Sequence, residues 1–329
     1  MIVGHGLEPF EGKTIPFEAV AVCVESVDQQ AGEGMEIENS VVAVTGGAHG
    51  IGRALCRALR FEQARIAVVD RDYAAAGEVA DEVNGLAIEA DVAREQDIVA
   101  AIEKIERTLG PMDIFVSNAG VAFGDGPDGA ASAPDEHWRD CLDVNLMGPV
   151  YAARAMVPRM RVRGRGCLVI VSSAAGLLCQ VGEAAYTASK HAAVGFAESL
   201  AITHGDDGIH VCLVCPQAVA TRMTGFDDEG QALDGETGFG GNDIDGILSA
   251  DYVADCILAG IEEERFLVLP HPQVAKYFQR KADDHDRWIG GMRRFRQRLA
   301  HYPGVALAER QREDEGRGQD HLLADGVPV

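Results

Sequence analysis

Between residues 41 and 269 the chain alternates short, uncharged, β-branched runs with longer segments of helical period. No other feature constrains the fold as strongly. A run with no charge on either side of its pleat has no face to offer water, so it belongs to a strand buried on both sides, and strands separated by helices run parallel. Such runs fall at 41–45, 66–70, 86–90, 114–117, 167–172, 209–214 and 266–269, with helical segments at 50–61, 73–83, 95–109, 134–161, 183–204 and 250–264. Right-handed crossovers then predict a doubly wound α/β sheet of seven parallel strands in the order 3-2-1-4-5-6-7.

This pattern places one α/β domain over 39–270. Residues 1–38 are acidic, contain glycine and show no sustained helical period; they read as an N-terminal extension, either disordered or lying before the natural start. Met35, after Gly32-Glu33-Gly34 and just ahead of the first strand, is the expected natural start, which the mass of the endogenous N-terminus checks; the alternative is a short added strand over 17–24. Beyond Pro270 a basic, aromatic stretch with Tyr277, Phe278, Trp288 and Phe295 predicts a helical extension over 271–307. It packs on its own core, wraps a neighbouring subunit or covers the cleft. The polar, charged residues 308–329 read as a disordered tail.

Acidic residues outnumber basic ones by 52 to 29, a net charge of −23, and a field of that sign disfavours nucleic acid and anionic membranes as partners. The residues from Met1 to Lys13 lack the basic start and apolar run of a secretory signal, and the apolar run 19–24 is too short to span a bilayer. The eight cysteines sit mostly in apolar runs and read as buried free thiols of a reducing, cytoplasmic compartment. Cys212 and Cys215 form a Cys-x-x-Cys within a strand-like run, where odd spacing puts the thiols on opposite faces, so no redox pair or metal site is expected.

The first strand runs directly into Thr45-Gly46-Gly47-Ala48-His49-Gly50-Ile51-Gly52, which opens the first helix. Glycines allow a tight turn and close backbone approach, and the helix N-terminus offers free N–H groups to a pyrophosphate. Strand, glycine turn and helix together predict dinucleotide binding by a Rossmann fold. Asp70 ends the second strand. A carboxylate there accepts hydrogen bonds from ribose hydroxyls and repels a 2′-phosphate, by up to about 4 kcal/mol for close charges at an effective dielectric near 20. NAD is therefore expected over NADP, with Arg53 and Arg71 as opposing cations and Asp72 as the N-cap of the next helix.

Farther along, Tyr186 and Lys190 stand four residues apart on a predicted helix and share one face. A nearby ammonium is expected to lower the phenol from its ordinary pKa near 10, typically by about 1–3 units, so that it exchanges a proton near neutral pH.

With these pieces in hand the chain resembles the short-chain dehydrogenases/reductases of the short-subunit type, from about Val41 to Pro270. The matching motifs come in the family's order: the 45–52 turn, Asp91-Val92, Asn118-Ala119-Gly120, Asn145, Ser172-Ser173, then Tyr186 and Lys190. The resemblance implies that Ser173, rather than Ser172, acts with Tyr186, Lys190 and Asn145 as the catalytic set. It implies that Ser173 steadies the substrate oxygen, that Lys190 holds the nicotinamide ribose and that Asn145 binds a water linking Lys190 to solvent. Asp91 and Val92 would contact adenine, and Pro216, Val219 and Thr221 would border the nicotinamide carboxamide. One departure is Gln217, where the family usually has glycine after proline.

The reading that follows is hydride transfer between NAD and a secondary alcohol or its ketone, with Tyr186 as general acid and base. The alternatives are an NADPH-dependent ketone or β-ketoacyl reductase and a catalytically silent, cofactor-binding regulator. Leu177, Leu178, Val181 and Phe123 predict an apolar substrate lining, with Met223 and Phe226 closing a mobile loop over 222–246. Asp227, Asp228 and Glu229 disfavour anionic substrates. The resemblance implies a homodimer or homotetramer built through the helices at 134–161 and 183–204.

Overall fold

The computed structural model describes residues 34–130, 132–233 and 245–299. The proposed leader, the added strand over 17–24, the tail from 308 and the centre of the 222–246 loop lie outside the described residues. Seven parallel strands form one sheet in the order expected: β1 (Val41–Thr45), β2 (Arg65–Asp70), β3 (Leu86–Glu89), β4 (Ile114–Ser117), β5 (Gly166–Val171), β6 (Ile209–Val214) and β7 (Leu267–Val268), arranged 3-2-1-4-5-6-7.

Strand alternation splits the core into two layers. Val41, Ala43, Phe115, Leu168 and Leu213 face one side of the sheet; Val42, Val44, Ile114, Val169 and Val214 face the other. Burying each such side chain is worth about 1.5–3 kcal/mol. Cys215 packs in the first layer and Cys212 in the second, so their thiols lie on opposite sides of the sheet. Ile37 is buried in the second layer, so the segment just ahead of β1 already belongs to the core.

The helices α1 (Gly50–Phe61), α2 (Tyr73–Val83) and α3 (Glu95–Leu109) match the segments expected, and Asp72 caps α2 by accepting from Ala75 N at 3.1 Å. The continuous helix expected over 134–161 is interrupted. It divides into α4 (Asp135–Leu142), a π turn (Asp143–Met147) and α5 (Gly148–Arg163). Pro149 supplies the reason, because it has no N–H to return to the carbonyl of Asn145 four residues back. Such π turns are frequent at functional sites.

Beyond these come α6 (Ala184–His204) and α7 (Ala250–Glu262), then α8 (Gln273–Asp283) and α9 (His285–Leu299). The last two pack on their own chain. Val274 is buried in the first layer, with Tyr277 and Trp288 against it. Lys281 Nζ donates to the carbonyls of Leu177 at 2.8 Å and Leu178 at 3.0 Å.

Candidate active site

A single cleft runs along the carboxyl ends of the strands, from Asp70, Asp91 and Val92 at one end, past Gly46, His49, Gly50 and Ile51, to Ser173, Tyr186 and Lys190 at the other. Asn118, Ala119, Gly120, Pro216, Val219 and Thr221 complete its walls. Three of the residues singled out in the sequence do not line it. Thr45 is a strut: its Oγ1 accepts from the N–H groups of Asn118 at 3.0 Å and Ala119 at 3.2 Å and donates to Val116 O. Gly52 is a spacer, since a Cβ there would collide with the Gly46 carbonyl. Asn145 is buried, 2% exposed, behind the cleft wall.

The glycine turn is shaped by local geometry. Gly46 and Gly50 adopt φ of 62° and 50°, which side chains with a Cβ rarely tolerate. A Cβ on Gly46 would lie 2.9 Å from Ala119 Cα. Asp70 spends one carboxylate oxygen on Ala48 N at 3.1 Å and the other on Asp72 N at 3.1 Å, which pins it beside the turn. A carboxylate has about four acceptor sites, so capacity for ribose hydroxyls remains. Arg71 lines the same end of the cleft, whereas Arg53 is turned toward Glu82.

At the far end the electrostatics differ from the expectation. Tyr186 is pushed up to about 12, not lowered: burial dominates, a hydrogen bond donated by the Ser173 hydroxyl to the phenol oxygen only partly offsets it, and Glu183 adds like charge. Lys190 is pushed down to about 8 by burial. Its Nζ donates to Val171 O at 3.0 Å and stands 5.6 Å from the centre of the Tyr186 ring. Lys190 does not offset this, because an amine held near 8 has lost its charge before a phenol near 12 ionises. Glu183, opening α6, is likewise raised to about 7 by burial, then by Asp125.

Both serines border the cleft, and their partners tell them apart: Ser172 Oγ donates to Lys190 O at 3.1 Å, while Ser173 hydrogen-bonds Tyr186. Asn145 ties the π turn to its neighbours: Oδ1 accepts from Val121 N, and Nδ2 donates to Val121 O and Ser189 Oγ, each at 2.9 Å. Both amide hydrogens are taken, and Pro149 leaves the Asn145 backbone carbonyl without its regular helical donor.

Other expectations need correction. Leu177 and Leu178 are core residues, tucked beneath α8 by Lys281, and not a substrate lining; Phe123 stacks on His137 at 4.4 Å. Neither these residues nor Val181 line the cleft, whose apolar wall is Val121, Val144, Val171 and Met223. Phe226 is buried, while Met223 is half exposed. Asp228 does not extend into solvent but lies against the glycine turn. Gln217, at the departure from the family pattern, has a negative φ and so strains nothing. Its N–H donates to His271 Nδ1 at 3.2 Å, and its side-chain Oε1 is buried without a partner. The isolated change of a glycine to glutamine was the one sequence signal for this contact.

The fold agrees with what known proteins show. The family model for short chain dehydrogenases matches residues 40–232. The chain belongs to the short chain dehydrogenase family. This dehydrogenase is 36% identical over 195 residues to 2-(S)-hydroxypropyl-CoM dehydrogenase 3 of Xanthobacter autotrophicus, covering 57% of this chain and 75% of that one. It is 35% identical over 188 residues to the 3-oxoacyl-[acyl-carrier-protein] reductase of Mus musculus, covering 56% and 78%. A short chain dehydrogenase from Burkholderia phymatum, solved in complex with NAD, superposes with a TM-score of 0.68 at 24% identity, over 77% of this chain and 96% of that one, and shares its fold. The family makes this dehydrogenase an oxidoreductase of alcohols and ketones that draws on a nicotinamide dinucleotide.

Proposed function

We propose that the protein interconverts a secondary alcohol and its ketone with NAD, and that Tyr186 is the proton-exchanging group. The juxtaposition of Ser173, Tyr186 and Lys190 at the end of a cleft that begins at Asp70 carries this reading. The cleft fits a dinucleotide chemically. An acceptor stands where ribose hydroxyls are expected, the glycine turn presents an N–H that already holds a carboxylate anion, and proton-exchanging groups lie at the far end. When bound, the nicotinamide supplies or accepts the hydride.

The residues of this chain do the rest. Protonated Tyr186 is set to donate to a carbonyl oxygen; in the reverse direction the phenol first gives up its proton toward solvent, and the resulting phenolate takes the alcohol proton. Ser173 hydrogen-bonds the same oxygen and stabilises charge developing there. Lys190 holds a ribose, and the Asn145 carbonyl positions a water through which protons return to solvent. Asp70 favours NAD by repelling a 2′-phosphate. The apolar wall suits a hydrophobic secondary alcohol. The reading also includes a homodimer or homotetramer through the α4–α5 and α6 faces, and a cytoplasmic location in keeping with free cysteines.

The second reading, an NADPH-dependent ketone or β-ketoacyl reductase, draws on Arg71, which has no ion pair among the described residues, and on the similarity to the mouse reductase. A panel of secondary alcohols and ketones, assayed with both cofactors by the absorbance of the reduced ring, tests them. Turnover with NAD is expected. Tighter binding of NADPH than NADH removes the Asp70 argument, and cofactor binding without turnover on any substrate favours the silent regulator.

A further inference from the structure

The mechanism leaves one buried charge unexplained. Asp228, on the loop after β6, has a side chain only 4% exposed. Its Oδ1 accepts from the backbone N–H of Gly50 at 2.9 Å, the first residue of α1. Its Oδ2 accepts from His49 Nδ1 at 3.0 Å and Arg222 Nη2 at 2.9 Å, and Arg53 Nη1 stands 3.7 Å away. Arg222 Nη1 in turn donates to His49 Nε2 at 3.3 Å, so the ring is oriented from both sides.

The carboxylate is presented, not adrift. Asp227 Oδ1 accepts from Glu229 N at 3.1 Å and Gln231 N at 2.7 Å, and Phe226 pairs with Ala232, which fixes Asp228 at the tip of a tight turn. Burial opposes its ionisation, but the Gly50 N–H, His49 and Arg222 together hold its pKa below the usual value. An ionised carboxylate thus sits on the helix N-terminus that closes the glycine turn, where backbone N–H groups and the helix dipole favour an anion.

The glycine turn is where the resemblance already puts the cofactor's pyrophosphate; we propose that Asp228, held there by Gly50 N–H, His49 and Arg222, is a built-in stand-in anion which the cofactor displaces. The proposal rests on the dinucleotide reading above. A molecule reaching from Asp70 to Tyr186 must cross Gly50, and the single Gly50 N–H, already given to Asp228, cannot serve a second anion at full strength. Displacement needs no new donors, since every group that holds the carboxylate is a donor a phosphate oxygen can take. The cofactor therefore binds against an internal competitor, and the 225–233 turn leaves the cleft when it does.

The experiment measures dissociation constants of NADH, ADP-ribose and adenosine for the purified full chain and for Asp228→Asn. ADP-ribose carries the pyrophosphate without the nicotinamide, and adenosine carries neither. About tenfold tighter NADH and ADP-ribose, with adenosine changed less than twofold, is expected. Unchanged or weaker ADP-ribose binding in Asp228→Asn overturns the stand-in. Asp228→Ala repeats the test should the asparagine variant misfold. In the Asp228→Asn background, Arg222→Gln is expected to weaken ADP-ribose at least fivefold, and no change removes Arg222 from the seat. If wild type binds neither NADH, NADPH nor ADP-ribose, the dinucleotide reading itself fails, an outcome separate from wild-type binding that Asp228→Asn leaves untouched.

Discussion

The chemical end of the cleft and the phosphate end of α1 handle charge in opposite ways. At the chemical end, burial drives ionisable groups toward neutrality: Tyr186 goes up to about 12, Lys190 down to about 8 and Glu183 up to about 7. At the phosphate end, pairing drives them toward ionisation: Asp228 is held below its ordinary value by a backbone N–H, a histidine and an arginine despite its burial. The difference lies in the donors each end supplies. Lys190 donates a hydrogen bond to the Val171 carbonyl and leaves the phenol uncompensated, whereas Gly50, His49 and Arg222 all donate to a single carboxylate. One end is poised for proton transfer, and the other exchanges one anion for another.

The largest expected effect tests the chemical end. Tyr186→Phe removes the phenol hydroxyl paired with Ser173, and turnover should fall by about 10²- to 10⁴-fold, the usual worth of a positioned acid or base. Cofactor affinity, set at the other end, should stay within a fewfold; activity near wild type in that variant would take the proton-transfer role away from Tyr186.

A smaller effect asks whether burial does govern that end. Between the ordinary carboxyl value of 4.5 and about 7, the folded protein keeps the Glu183 proton that the unfolded chain has lost. Stability from this group is therefore full at acid pH and declines as pH rises through that window. Glu183→Gln should abolish the decline and gain on the order of 2 kcal/mol above pH 7, with no gain near pH 4. Urea melts at the two pH values measure it, and equal gains at both would mean that the site is well solvated.

The smallest change concerns cofactor choice. Asp70→Ala should raise NADP affinity relative to NAD by roughly tenfold, well within the Coulomb penalty of a close carboxylate. An unchanged ratio of dissociation constants would shift the discrimination to Arg71.

Much of this molecule could be read before its tertiary structure. The seven strands were legible because uncharged β-branched runs have only one buried arrangement between helices, and the glycine turn because Gly46 and Gly50 need backbone angles few other residues adopt. Tyr186 and Lys190 were expected on one face from their spacing, and Ser173 from the family resemblance; the fold brings the three to one cleft. The interruption at Asn145 was present in the sequence too, as Pro149, but a proline four residues on was outweighed by the helical period around it.

The local chain therefore determined the order of elements, the turn and the identities of the groups at the chemical end, because those depend on period, spacing and backbone freedom. It did not determine the direction of the Tyr186 shift, the core placement of Leu177 and Leu178, or the seat of Asp228. Each of these depends on what a side chain meets across the fold: the solvent it loses, the helix that covers it, or the N–H of a residue 178 positions away. Burial and long-range pairing are properties of three-dimensional neighbours, and a linear pattern carries only half of each pair.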